Sequence, residues 1–217
     1  MAATDTPTAP RLSKKERTRR KIAEAAFGLF ADHGFDAVRL TDIAHAADVA
    51  PATVFTHYGS KEEIFFSRRG EFNEGLAAAV GGASDLHDLI GRLHAFYRDA
   101  TGLVLHGDAV ERGRVFARIL LDSPALMRAY SPLERERRDL LAQTIAEHFG
   151  PDEGVHEGET ELLAALAAAV AATAFDVMHE QLAAGKPVDQ VREDVDAALT
   201  RGFDKLRTAY PSGVRAQ

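Results

Sequence analysis

The 217-residue chain contains no cysteine. That excludes a disulfide framework, cysteine-bound zinc or iron–sulfur centres, and a thiol nucleophile. It fits a reducing compartment. A chain of this length buries roughly 70% of its unfolded surface, so it folds without such staples. Long apolar runs are scarce too. The longest, Leu162 to Phe175, has 14 residues. About 20 are needed to span a bilayer, so we expect a buried helix and no membrane partner. Alternating apolar and polar residues nowhere persist for a useful length, which argues against strands. Residues 1–10 lack the charged start and apolar run of a signal peptide, and are expected to be a disordered tail on a cytoplasmic protein. No Gly-x-Ser-x-Gly, phosphate loop, dinucleotide fingerprint or His-Glu-x-x-His is present, and the nine histidines follow no metal spacing. We therefore expect no catalytic residue, no cofactor and no metal.

What the chain has is an uneven charge. The net charge is −7. Residues 1–70 nevertheless hold 11 Lys/Arg against 9 Asp/Glu, while the remainder holds 15 against 24. Arg11, Lys14, Lys15, Arg17, Arg19, Arg20 and Lys21 face only Glu16 within one short block. A basic block on an acidic protein points to local contact with a polyanion, because the rest of the surface repels nucleic acid.

Helical spacing dominates, and the fold class is all-α with about nine helices. Ser13-Lys14-Lys15-Glu16 is a capping box opening a helix that buries Ile22, Ala26, Leu29 and Phe30 and stops at Gly34. Short helices follow at about 40–47 and, opened by Pro51, to Tyr58. Ser60 to Glu63 is a second capping box, predicting one long helix to about Val80. Further helices are expected at 85–105, 108–121, 132–149, 159–184 and 188–209, with a Gly/acid loop at 151–158. Pro132 is read as a helix start because Ser131 and Glu134 flank it in cap positions. His87 and His94 fall off the apolar stripe of their helix and are expected at the surface.

Between Ile43 and His57 the pattern is apolar helix, three-residue turn, second helix. Ile43, Ala44 and Ala47 can face Val49 and Val54 across the turn, the plan of a helix-turn-helix. The second helix then projects and fits a major groove about 12 Å wide. Its outward positions, Ala52, Thr53, Phe55, Thr56 and His57, include no acid, as an anionic groove requires. Lys61 follows in the first turn of the next helix, where free N–H groups favour a phosphate. These residues, with Phe35-Asp36-Ala37, Asp42-Ile43-Ala44 and Ser60-Lys61-Glu62, resemble the TetR family of bacterial transcriptional regulators over about residues 12–66. The resemblance implies a DNA-binding domain of residues 11–58 on a helical ligand-binding and dimerisation domain of residues 59–217. It also implies a homodimeric repressor of a near-palindromic operator, released by a small-molecule effector. A ligand among the middle helices is expected to pivot the long helix after Lys61.

Thr41, Pro51, Ala52, Thr53, Phe55, Thr56, His57 and Lys61 become the expected DNA contacts. Lys14, Lys15 and Arg17 are expected on flanking phosphates. Four positions depart from the family pattern: Phe55 often is Tyr, Asp48 usually Gly, Ala50 usually Ser or Thr, and Arg39 commonly Thr. The competing reading is a ligand-binding or scaffolding dimer whose helix-turn-helix no longer binds DNA.

Val188, Val191, Val195, Leu199, Phe203 and Leu206 form a continuous stripe, and Leu163, Leu166, Val170, Ala174 and Val177 line the helix before. Two such helices per subunit suit a four-helix dimer seam, although the stripe also suits intramolecular core. Candidate effector contacts are Tyr97, on the centre of an apolar face, and Arg137, beside Leu133, Leu140 and Leu141 and facing an anionic or carbonyl group. Phe116, Met127, Tyr130, Phe175, Met178 and His179 are further lining candidates.

Overall fold

The computed structural model describes residues 13–150 and 157–211. The expected tail, Arg11 and most of the expected 151–158 loop lie outside the described residues. Ten helices and no strand are present among them: α1 (Lys14–His33), α2 (Leu40–Ala46), α3 (Pro51–His57), α4 (Lys61–Phe65), α5 (Arg69–Gly81), α6 (Leu86–Gly102), α7 (Ala109–Asp122), α8 (Pro124–Phe149), α9 (Glu157–Ala183) and α10 (Val188–Ala209). The chain divides into two compact units, one ending at Ser67 and one beginning at Arg68.

In the first unit the α1 cap forms as its residues dictate. The Ser13 hydroxyl accepts from the Glu16 N–H at 3.1 Å, and the Glu16 carboxylate accepts from the Ser13 N–H at 2.7 Å. Ile22, Ala26 and Phe30 point inward at helical spacing and meet Phe35, Ile43, Val54 and Phe65 in one core. Phe30 lies 4.9 Å from Phe35 and 6.1 Å from Phe65, centroid to centroid. The single helix expected from Ser60 to Val80 is broken between Phe65 and Arg69. Ile64, Phe65 and Phe66 are all buried, and three consecutive helical positions sweep about 200°. Leaving the helix at Phe66 lets both rings enter the core, edge to face at 5.1 Å.

The second unit is built around α9, which packs against α6, α7, α8 and α10. Its stretch Gly158–Ala183 is long and apolar enough to cross a membrane by length and composition. Here those residues instead supply Leu163, Ala164, Ala167, Ala171, Ala174 and Met178 to the core. The stripe of α10 is a correction to the dimer expectation: Val191, Val195, Leu199, Phe203 and Leu206 are buried within the chain itself. They pack on α6 and α9. Gly202 allows that approach, since a Cβ there would stand 2.4 Å from a Val170 methyl. The large apolar residues that face outward on α9 are Leu162 and Leu166.

Two further expectations are corrected. Helix α8 starts at Pro124, not Pro132, and runs through Pro132. The Ser123 hydroxyl caps it by accepting from Leu126 N–H. Leu126, Tyr130, Leu133, Leu141, Ile145 and Phe149 continue one buried face across the proline, whose own ring is exposed. Burial of that face outweighs the roughly 3 kcal/mol a mid-helix proline costs. His94 is buried rather than exposed, because Phe203 stacks on it at 5.1 Å and Arg207 donates to its Nδ1 at 3.1 Å.

Candidate functional site

The turn between α2 and α3 is fixed by its backbone. Asp48 takes a left-handed φ of 47°, the only positive φ outside glycine among the described residues. Asp tolerates that region better than most residues. Its neighbours close the turn, Ala47 N–H donating to Ile43 and Val49 N–H to Ala44. Ile43, Ala44, Ala47 and Val54 are buried at the crossing. Lys21 on α1 approaches the Asp48 carboxylate at 3.6 Å, which offsets the acid's charge beside this face. Ala50 leaves α3 without a side-chain cap, as its methyl requires.

Pro51, Ala52, Phe55 and Thr56 are exposed on α3, and Thr53 and His57 are half-buried. Phe55 is 59% exposed, an uncommon position for a phenyl ring. The Thr56 hydroxyl donates back to the Ala52 carbonyl at 2.9 Å, so it presents lone pairs and a methyl outward. Thr41 stands exposed in the first turn of α2. It shares an open recess of about 550 Å³ with Arg39, Ser60, Lys61 and Glu62 at the starts of α2 and α4. Lys61 is committed locally: its ammonium donates to the carbonyls of Phe35 at 2.7 Å and Val38 at 2.8 Å. It also lies 4.4 Å above the Phe35 ring. Lys14, Lys15 and Arg17 are exposed on the first turn of α1.

Two residues whose pairing the sequence did not reveal, Tyr58 and Arg19, hold α3 in place. The Tyr58 hydroxyl, just past the end of α3, donates to the Arg19 carbonyl at 3.0 Å. The Arg19 guanidinium lies 4.2 Å over the Tyr58 ring and donates to the His57 carbonyl. Burial pushes the Tyr58 hydroxyl's pKa up, against the pull of Arg19. A buried tyrosine hydroxyl needs a partner, and that was the available signal. Its partner sits 39 residues away, which no local pattern reveals.

The second unit gathers most of the expected effector contacts into one aromatic cluster. His179 on α9 lies 5.8 Å from Phe116 (α7), 6.2 Å from Tyr130 (α8) and 6.2 Å from Phe175, centroid to centroid. Phe175 continues to Tyr97 (α6) at 6.4 Å and to Phe72 (α5) at 6.0 Å. Arg137 places its guanidinium carbon 4.3 Å over the Phe72 ring. Burial raises both tyrosine hydroxyls to about 12 and lowers His179 to about 4, so all three are neutral at pH 7. Arg137 thus carries the cluster's full charge. Met178 is buried in the core next to His179 on α9.

Met127 is a correction: it is 42% exposed. Because α8 begins at Pro124, its first buried positions are Leu126, Tyr130 and Leu133, and Met127 falls off that face. An open groove of about 680 Å³ on α5 and α8 is lined by Asn73, Pro132, Arg135, Glu136, Asp139, Leu140 and Gln143, none of them an expected contact.

Comparison with known proteins gives a consistent result. The sequence model for bacterial regulatory proteins of the tetR family matches residues 22–67. The transcriptional regulator MftR of Mycobacterium tuberculosis is 31% identical over 139 residues, covering 63% of this chain and 68% of that protein. The HTH-type transcriptional regulator TcmR of Streptomyces glaucescens is 28% identical over 153 residues, covering 68% of each. Among solved structures, NalD, the secondary repressor of the MexAB-OprM multidrug efflux pump in Pseudomonas aeruginosa, has a TM-score of 0.56 at 21% identity. That alignment covers 88% of this chain and 97% of NalD, and shows the shared all-α fold.

Proposed function

Because the chain belongs to the TetR family of bacterial regulatory proteins, we propose that it is a homodimeric repressor of a near-palindromic operator, released by a small-molecule effector in the cytoplasm. It is a DNA-binding transcriptional regulator and not an enzyme. The observation that carries the finer reading is the outer face of α3: uncovered within its unit, free of acids and bearing an exposed Phe55. Pro51, Ala52, Thr53, Phe55, Thr56 and His57 read the major groove. Thr41 and Lys61 meet the backbone at the recess they share, Lys61 through its charge, since its hydrogen bonds stay with Phe35 and Val38. Lys14, Lys15 and Arg17 meet flanking phosphates.

The dimer seam runs along α9, where the exposed residues Leu162, Leu166, Ala169 and Thr173 recur at spacings of 4, 3 and 4. The corrected position of the α10 stripe makes α10 a flank of that seam rather than its centre. A two-fold dimer reads half-sites about 34–36 Å apart, or a multiple. The repressor sign is the one NalD has. The effector site is the cluster of Tyr97, Phe116, Tyr130, Arg137, Phe175 and His179, over Met178. To reverse occupancy from 1:99 to 99:1, an effector must favour the released state by about 5.5 kcal/mol.

Retention of genomic fragments on the immobilised protein, followed by footprinting, tests this reading. A protected near-palindrome that disappears in the F55A/T56A variant, with helical circular dichroism unchanged, is the expected outcome. Retention of no fragment overturns it and favours a scaffolding dimer.

A further inference from the structure

A guanidinium held among aromatic rings costs free energy unless something answers its charge. Arg137 is in that position. Its Nε is buried and has no hydrogen-bond partner. One hydrogen bond joins its side chain to the Tyr130 hydroxyl. Among the described residues no carboxylate stands at ion-pairing distance from it. The nearby acids are Glu134, one turn away on α8, and Asp176 on α9. Glu134 attracts Arg137 from beyond ion-pairing distance, and burial raises the pKa of both acids. The remaining neighbours offer π faces or neutral polar tips.

We infer that this cluster recognises an effector with a flat aromatic body and a single negative charge, the body lying among Phe72, Phe175 and His179 and the charge meeting Arg137. The inference rests on the reading of the protein as a ligand-released regulator, and it names the class of ligand. The rings already pack against one another with centroids 6.0–6.4 Å apart, and a further ring can join them by offset or edge stacking once they separate. The planar fork of arginine matches a carboxylate, or a phenolate beside a carbonyl, in a way a lone ammonium does not. Tyr97, Tyr130 and His179 add uncharged hydrogen-bonding groups. A cation with no carboxylate at ion-pairing distance, set beside neutral hydrogen-bonding groups, selects a monoanion over a neutral isostere and rejects a cation. The rings touch one another across α5, α6 and α9, so an occupant must part those helices. That movement is what couples occupancy to shape.

Calorimetric titration of the full chain at pH 7.5 with 2-naphthoate, 2-naphthylmethanol and 2-naphthylmethylammonium reads the preference directly. The expected order is naphthoate tighter than the alcohol by about 10-fold or more, and the ammonium weakest. Arg137→Gln should abolish the naphthoate advantage while leaving the alcohol's affinity within about two-fold, and Arg137→Lys should restore part of it. Equal binding of acid and alcohol, a preference for the ammonium, binding of none of the three, or an intact preference in folded Arg137→Gln each overturns the inference. Wild-type protein alone decides the charge order if the variants do not fold. An operator shift assay on the same sample keeps the two readings apart. DNA binding without anion preference removes only the ligand class, and anion preference without DNA binding removes only the regulator.

Discussion

The basic first turn of α1 makes the most exacting prediction. Lys14, Lys15 and Arg17 are exposed there; further along the block Arg20 pairs with Glu24 at 3.0 Å, Lys21 approaches Asp48, and Arg19 is stacked on Tyr58. Removing one cation from a DNA phosphate should flatten the plot of log affinity against log salt by about 0.9. Replacing Lys14, Lys15 and Arg17 together by Ala should therefore lower the slope by about 2.7. Over a four-fold salt range that amounts to a difference of about 40-fold in how steeply affinity falls. Fluorescence anisotropy on a footprinted operator between about 50 and 200 mM salt is a suitable assay, with thermal unfolding as the control for fold. The Ser13 and Glu16 side chains that cap α1 are untouched by these changes, so its helicity should persist. A slope within about 0.5 of wild type would refute the assignment of this block to the DNA backbone.

Ala50→Ser should add the missing α3 cap and raise unfolding free energy by about 1 kcal/mol in urea titrations, and no gain would mean the serine cannot reach the first-turn N–H groups. Tyr58→Phe should cost about 1 kcal/mol of stability by deleting the bond to Arg19, and should weaken operator binding without changing the salt slope; unaltered stability would show that the bond is not formed in solution. Gly202→Ala should destabilise by about 1–3 kcal/mol despite alanine's better helix propensity, because its methyl meets Val170; Val170→Ala should reverse much of that loss, and simple additivity of the two would exclude the clash. His179 is neutral in the folded chain, with its pKa lowered from 6.5 to about 4 by burial. Its contribution is therefore intact above pH 6.5 and is lost as pH falls toward 4. Between pH 7 and 5 the wild type should lose about 2 kcal/mol more than His179→Gln, as read from urea midpoints, and equal losses would place His179 in water.

Elements defined by nearby residues were legible in the sequence. The Ser13 box, the turn at Asp48 and the proline at the start of α3 involve partners within five residues, and each forms where its chemistry indicates. Breaks in regular pattern were less legible. Ser60 begins a helix as expected, but the need to bury Phe65 and Phe66 together ends it after one turn, and a capping signal carries no information about that. Pro132 has every local mark of a helix start. Only the buried face that continues past it, held by packing on α9, keeps α8 whole.

The candidate sites divide along the same line. The face of α3 could be read because a surface helix shows its function in what it exposes. The dimer stripe misled because an apolar stripe states that a face is covered but not by what. The α10 residues are covered by α6 and α9 of the same chain, and the side of α9 that bears Leu162, Leu166, Ala169 and Thr173 is left facing outward. Arg137 lies between these cases. Its position among leucines marked it as a charge in apolar surroundings, and the physical demand for a partner followed at once. The identity of the groups around it did not follow, since Phe72, Tyr97, Phe116 and His179 join its cluster from four other helices. Those groups are aromatic or neutral, and they leave a half-buried arginine whose Nε has no hydrogen-bond partner and which has no carboxylate at ion-pairing distance among the described residues.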